Sequence, residues 1–331
     1  MAVEAHHSQP ARGYMRTSYL LIALVVLSFA SLFVGVVNLS PADLFGLTTK
    51  KAQVLMISRI PRLISILLSG MSMGLCGLIM QQLSQNRFVS PTTAGTLDSA
   101  RLGILISLLL FSSASPLVKM ATAFLFALLG TYTFTRILDK IRFKDAVFIP
   151  LVGLMFGGII NSISTFIAYR FDLIQNISSW LMGDFSMIIQ GRYELLYAVI
   201  PSLCLAYLYA NRFTVAGMGE EVATTLGLNY RQVVNVGLGI VALCTAAVVL
   251  TVGTLPFLGL IVPNLISIYR GDHLQRNLTA TALLGAVIVL ACDILGRIII
   301  YPYEIPINVT LGVLGSGVFI YLIARQYAYG H

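Results

Sequence analysis

Ser58-Arg59-Ile60-Pro61-Arg62-Leu63-Ile64-Ser65-Ile66-Leu67-Leu68-Ser69-Gly70-Met71-Ser72-Met73-Gly74-Leu75-Cys76-Gly77-Leu78-Ile79-Met80-Gln81-Gln82 is the stretch that decides the fold. A helix that crosses a bilayer needs about 20 predominantly apolar residues, and residues 57–83 supply them. Gly70, Gly74 and Gly77 fall on one helical face. In lipid, such a face of small residues lets a second helix approach closely. The stretch therefore reads as a membrane helix packed against other helices, and Pro61 suits its first turn.

The rest of the chain agrees. Of 331 residues, 57% are hydrophobic and 10% are charged, against roughly 25% charge in soluble domains. The mean hydropathy is +0.88. This composition excludes a soluble enzyme or a nucleic-acid module. Further apolar runs lie at about 19–37, 96–113, 117–138, 146–169, 195–210, 233–252, 279–300 and 307–323. A shorter run, 257–269, lies between Pro256 and Gly271 and is long enough only for a half-length or re-entrant helix. The expectation is an all-α polytopic membrane protein of about ten transmembrane helices, forming one transmembrane domain over 1–331. Ten such helices use roughly 200 residues, so no loop can hold a large extramembrane domain. Any energy coupling must come from another chain.

Residues 1–15 read as a cytoplasmic tail, because Arg12 and Arg16 precede the first run and Lys and Arg favour the cytoplasmic side. No small-residue cleavage site follows, so the first run reads as a retained helix. An even number of spans then puts both termini in the cytoplasm. On this topology 12 of the 21 Lys+Arg fall inside and Arg101 is undecided. Eight fall outside: Lys50, Lys51, Arg59, Arg62, Lys119, Arg170, Arg192 and Arg297. The net charge of +8 therefore reads as the loop bias of a membrane protein, not as affinity for nucleic acid.

Several places could carry function. Arg59, Arg62 and Arg297 lie near outer helix ends, against the charge bias; they read either as anchors in lipid head groups or as a docking point for an acidic partner. Asp293 and Arg297, four residues apart, can pair on one helix face. The cytoplasmic loop 211–232 contains Gly219-Glu220-Glu221-Val222-Ala223-Thr224-Thr225-Leu226-Gly227-Leu228. It reads as a short helix between glycines, either an ordinary surface helix or a lever seated in a partner's groove. Gly253, Pro256, Gly259, Pro263 and Asn264 interrupt an apolar stretch. Such breaks are either kinks or marks of a transport path. Cys76, Cys204, Cys244 and Cys292 read as small buried hydrophobes. No Walker loop, nucleophile elbow, paired catalytic carboxylates or metal-ligand cluster is present, so no catalytic or metal-binding residue is assigned.

Seven motifs then follow in order: Arg59-Ile60-Pro61-Arg62, Gly70 through Gln81, Asn86 through Pro91, the Gly219 to Leu228 loop, Phe257-Leu258-Gly259-Leu260-Ile261-Val262-Pro263, Asp293 through Arg297, and Glu304-Ile305-Pro306. Together, over about residues 15–327, they resemble the iron-siderophore and cobalamin permeases of bacterial ABC importers. The resemblance implies the type II ABC importer permease fold with ten helices per subunit. It implies a permease without enzymatic activity in the cytoplasmic (inner) membrane. The implied partners are a second permease subunit (identical or a sister), two ATPase subunits that bind ATP and Mg, and a substrate-binding protein. It assigns Arg59, Arg62 and Arg297 to docking of the binding protein. It assigns Gly219, Glu220, Glu221, Thr225, Leu226, Gly227 and Leu228 to coupling with the ATPase. Pro263-Asn264, where the family often has Pro-His, is similar to the branch serving catecholate or mixed-ligand siderophores of petrobactin or anguibactin type.

The rival readings are weaker. An ion-gradient-driven secondary transporter would favour embedded carboxylates. Asp98, Asp293 and Glu304 are the only candidates, and the last two lie near an outer end. An intramembrane enzyme has no supporting motif.

Overall fold

Inside a bilayer, backbone N–H and C=O groups find no water, so an apolar chain must satisfy them within helices. The computed structural model follows that rule. It describes residues 17–35, 48–111, 115–141, 148–191, 193–271 and 273–329. The tail 1–15 lies outside the described residues, as do Arg16, Arg142, Lys144, Arg192 and the side chain of Arg325. Among the described residues there is no strand. The helices are α1 (Thr17–Phe33), α2 (Thr49–Val54), α3 (Ile60–Leu83), α4 (Thr96–Leu110), α5 (Pro116–Lys140), α6 (Phe148–Arg170) and α7 (Ile174–Leu181). They continue with α8 (Val199–Leu208), α9 (Ala210–Ala216), α10 (Glu220–Thr225), α11 (Tyr230–Thr251), α12 (Leu258–Arg270), α13 (Leu274–Ile298) and α14 (Ile307–Tyr329).

Each of the ten apolar runs contains a helix among its described residues. Five stretches are long and apolar enough to cross a membrane: Thr49–Leu83, Pro116–Lys140, Phe148–Arg170, Tyr230–Thr251 and Leu274–Ile298. A sixth, Glu194–Leu208 with Ala210–Ala216, is bent by 62°. The apolar helices Thr17–Phe33, Leu258–Arg270 and Ile307–Leu322 are shorter, and α4 has 15 residues.

The segment around Pro61 differs from the sequence expectation. The helix does not open there: α2, a π-helical turn at Leu55–Arg59 and α3 run on as one helix from Thr49 to Leu83. Proline inside a helix removes one N–H and crowds the carbonyl four residues back, here that of Ile57. The widened turn accommodates the ring, and the Ile57 carbonyl accepts from the backbone N–H of Gln190 at 3.0 Å. Arg59 and Arg62 are thus interior to a helix, and the dipole of a helix start does not act on them.

α3 is the axis of the bundle. Its apolar window is 72% buried and those of α11 and α13 are 67% buried, whereas α5 and α6 stand at the periphery with 28% and 22%. The glycine face does what its spacing suggests. Gly70 lies against the backbone of Gly285 and Ala286, Gly74 against Thr281 and Gly285, and Gly77 against Gly259. Beyond Leu83 the chain folds back into the protein: Asn86, Val89, Ser90 and Ala94 are buried before Gly95 (φ 70°) caps α4. Cys76, Cys244 and Cys292 are buried as expected, but Cys204 is exposed on peripheral α8.

Candidate functional site

The end of the bundle where α1 finishes gathers the three predicted arginines. Arg62 donates to Asp293 Oδ1 from Nε (3.2 Å) and NH2 (2.7 Å), and to Glu304 Oε2 from NH1 (2.7 Å). Arg297 donates to Asp293 Oδ2 one turn back on α13, which is the pair expected from the spacing. It also donates to the carbonyls of Ser31 (3.0 Å) and Val34 (2.8 Å) and to Ser31 Oγ (2.6 Å). Arg59 donates to the Val34 carbonyl as well. One cluster of three arginines and two acids therefore ties the end of α1 to α3, to α13 and to the turn before α14. Among the described residues it gathers three cations and two anions.

The placement differs from an exposed positive surface. Arg59, Arg62 and Arg297 are only 8%, 9% and 2% exposed. Buried charge is tolerated because Arg62 and Arg297 each face a carboxylate and Arg59 donates to the Val34 carbonyl. Glu304 is the accessible acid, with its side chain 25% exposed against 3% for Asp293.

The opposite end carries the loop. α10 forms between Gly219 (φ 102°) and Gly227 (φ 80°), with Glu220 and Glu221 in its first turn. Backbone at these φ values suits glycine. Thr224 and Thr225 turn their hydroxyls back onto the carbonyls of Glu220 and Glu221. Met218, Val222 and Leu226 are 57%, 46% and 65% exposed. Val222 and Leu226, four apart, share one apolar flank of the short helix, whereas Met218 precedes the break at Gly219; Met218 and Val222 were not singled out in the sequence. Leu228 instead packs against the core.

The broken segment is wrapped inside the chain. Its free backbone groups meet residues 181–184: Thr254 N–H and Oγ1 donate to the Leu181 carbonyl, and Asp184 N–H donates to the Val252 carbonyl at 3.0 Å. Gly253 (φ 94°) and Gly259 are buried, while Pro256 is half-buried. Pro263 lies inside α12. Next to it, Asn264 Nδ2 donates to the Leu260 carbonyl and to the Arg87 carbonyl, both at 2.8 Å, bracing the folded-back turn onto α12. An adjoining cavity of about 220 Å³, lined by Leu258, Ile261, Ile288 and Leu311 among others, is apolar and does not suit a polar cargo.

Comparison with known proteins places these features. The chain is 62% identical to the petrobactin import system permease protein YclN of Bacillus subtilis, over 95% of this chain and 100% of that protein. It is 37% identical to the ferric-anguibactin transport system permease protein FatD of Vibrio anguillarum, over 93% and 98%. A solved ABC transporter chain described as of metal-chelate type, in an inward-facing conformation, shares the fold with a TM-score of 0.79 at 22% identity, over 93% and 98%. The model of the FecCD transport family matches residues 22–325. This chain, a multi-pass helical membrane protein, belongs to the FecCD transport family.

Proposed function

We propose that the chain is the permease subunit of an ATP-binding-cassette importer that carries a ferric siderophore across the bacterial cytoplasmic membrane, with both termini inside. The observation that carries this reading is the end-to-end likeness to a petrobactin import permease. The subunit works beside a second permease. Two ATPase subunits supply the ATP and Mg chemistry, and a binding protein delivers the chelate. The exposed flank of Val222 and Leu226 gives an ATPase groove an apolar ridge to grip. The arginine cluster receives the binding protein: its guanidiniums attract an acidic surface, and the accessible Glu304 is the group an incoming carboxylate replaces on Arg62.

The test is uptake of ferric petrobactin by vesicles holding the assembled complex. Uptake should require ATP and should not follow from a proton gradient alone; gradient-driven uptake would make the chain a secondary transporter. Val222→Asp with Leu226→Asp should cut uptake several-fold and release the ATPase while membrane insertion stays normal. Wild-type uptake and ATPase association in that variant would remove the coupling role. Glu304→Gln should tighten binding of the binding protein a few-fold at low salt and steepen its salt dependence, since it removes one negative charge from the cluster. Weaker binding would show that Glu304 assists docking and does not compete with it.

A further inference from the structure

Arg101 on α4 and Asn161 on α6 meet far from either end of the bundle. Arg101 NH1 donates to Asn161 Oδ1 at 2.8 Å. The two helices run side by side in the same direction: Gly95 lies against Gly157, and Leu105 packs with Ala168. Arg101 is nine residues before Leu110, the end of α4, and Asn161 is nine before Arg170, the end of α6. At 1.5 Å per residue both lie about 14 Å inside those helix ends, close to the middle of a hydrocarbon layer roughly 30 Å thick. Asp98 lies one turn earlier: its carboxylate oxygen sits over Gly157, one turn before Asn161, where a β-carbon would come within 2.5 Å of it.

These groups are not sealed in the core. Asp98, Arg101 and Asn161 are each half-buried; Arg101 Nε is turned inward without a hydrogen-bond partner, so the open part of the guanidinium is its far end. Asp98 and Arg101 do not close an ion pair. Beside them α6 leaves Gly158, Ser162 and Thr165 exposed, spaced so that they share one face. Half-buried, incompletely paired charge at mid-depth is costly against lipid, and such groups face a bundle interior or a water-filled cavity. Among the described residues nothing covers the flank, so the cover is either water or a second subunit.

We propose that Arg101, set by Asn161 and moderated by Asp98, is a specificity-determining group on the translocation path, and that the α4–α6 flank is the wall of that path. The cargo it selects is a ferric chelate with net negative charge, whose carboxylate or phenolate oxygens accept from the spare N–H groups of the guanidinium. Asp98 keeps that attraction shallow, because a site on a path must let its cargo leave. The proposal rests on the importer reading for the identity of the cargo, but not for the polarity or wetness of the flank.

The test separates the two. In the assembled complex, with the exposed Cys204 changed to Ala, Ser162→Cys is treated with an anionic and a cationic methanethiosulfonate in each nucleotide state. The cysteine should react, and adding Arg101→Gln should lower the ratio of anionic to cationic rates by about tenfold, as expected for a charge within several ångströms in a partly wet site. An inert cysteine in every state, or an unchanged ratio, overturns the proposal. In uptake, Arg101→Gln should raise the KM for ferric petrobactin several-fold, Arg101→Lys should recover part of it, and ATPase association should be unchanged. Loss of permease pairing with an unchanged KM would make the flank a subunit contact and overturn the specificity role. If the labelling result holds while the wild type imports no ferric petrobactin, the substrate reading fails and the anion-attracting wall stands.

Discussion

Replacing Asp293 with Ala should collapse the stability of the protein, by about 3–5 kcal/mol, because one buried carboxylate serves two buried guanidiniums. Its Oδ1 accepts twice from Arg62 and its Oδ2 accepts from Arg297. The side chains are 3%, 11% and 1% exposed, so water cannot take its place. The loss equals roughly two to four orders of magnitude in the folded-to-unfolded ratio. Thermal unfolding in detergent should show a large fall in midpoint and in yield. Asp293→Asn should be intermediate, since it keeps an acceptor but loses the charge. Asp139→Ala, on an exposed carboxylate, should stay within about 0.5 kcal/mol of wild type. The triple change Arg62→Met, Asp293→Leu, Arg297→Met should regain much of the stability, since apolar side chains can replace a buried ion cluster, yet it should not recruit the binding protein. If Asp293→Ala unfolds like the wild type, the cluster does not hold the helices together.

This cluster shows which parts of the architecture a linear reading reaches. Asp293 with Arg297 was legible because one helical turn separates them. Arg62 with Asp293 was not: they are 231 positions apart in sequence, and nothing local selects one partner among several. The start of α3 was misplaced for a physical reason. Thr49-Lys50-Lys51-Ala52-Gln53 reads as a polar loop, and Pro61 reads as a helix opener, yet the π-helical turn carries the helix through the proline. The break at residue 253 was visible from its glycines and prolines. Its answer, residues 181–184, was not, because backbone groups leave no mark in the sequence. The short helix α10 was legible from its flanking glycines, whereas the inward turn of Leu228 depends on tertiary packing that overrides the local pattern.

The glycine face makes the second large expectation. Gly77→Ala should destabilise the protein by at least about 1–3 kcal/mol, the usual cost of overpacking, and Gly77→Leu by more. A β-carbon at position 77 would overlap the carbonyl of Gly259, and the obstacle is backbone, which has no rotamer to change. Gly259 cannot retreat freely either, since a side chain there would itself press on the Met73 carbonyl at 3.1 Å and on Pro91 at 3.2 Å. Forcing α3 and α12 apart also strains the brace from Asn264 to the Arg87 carbonyl, so the damage should reach the folded-back turn 84–95. Gly239→Ala and Gly312→Ala provide the contrast. Neither position has an atom within 4 Å of the added carbon. Both lie inside helices, where replacing glycine by alanine commonly stabilises by roughly 0.5–1 kcal/mol. The four variants should therefore fall on opposite sides of wild type in thermal midpoint, with the protection of the turn against hydrogen exchange lost only in the position-77 pair. If Gly77→Ala matches Gly312→Ala, close approach at the α3–α12 crossing is not what holds the broken segment in place.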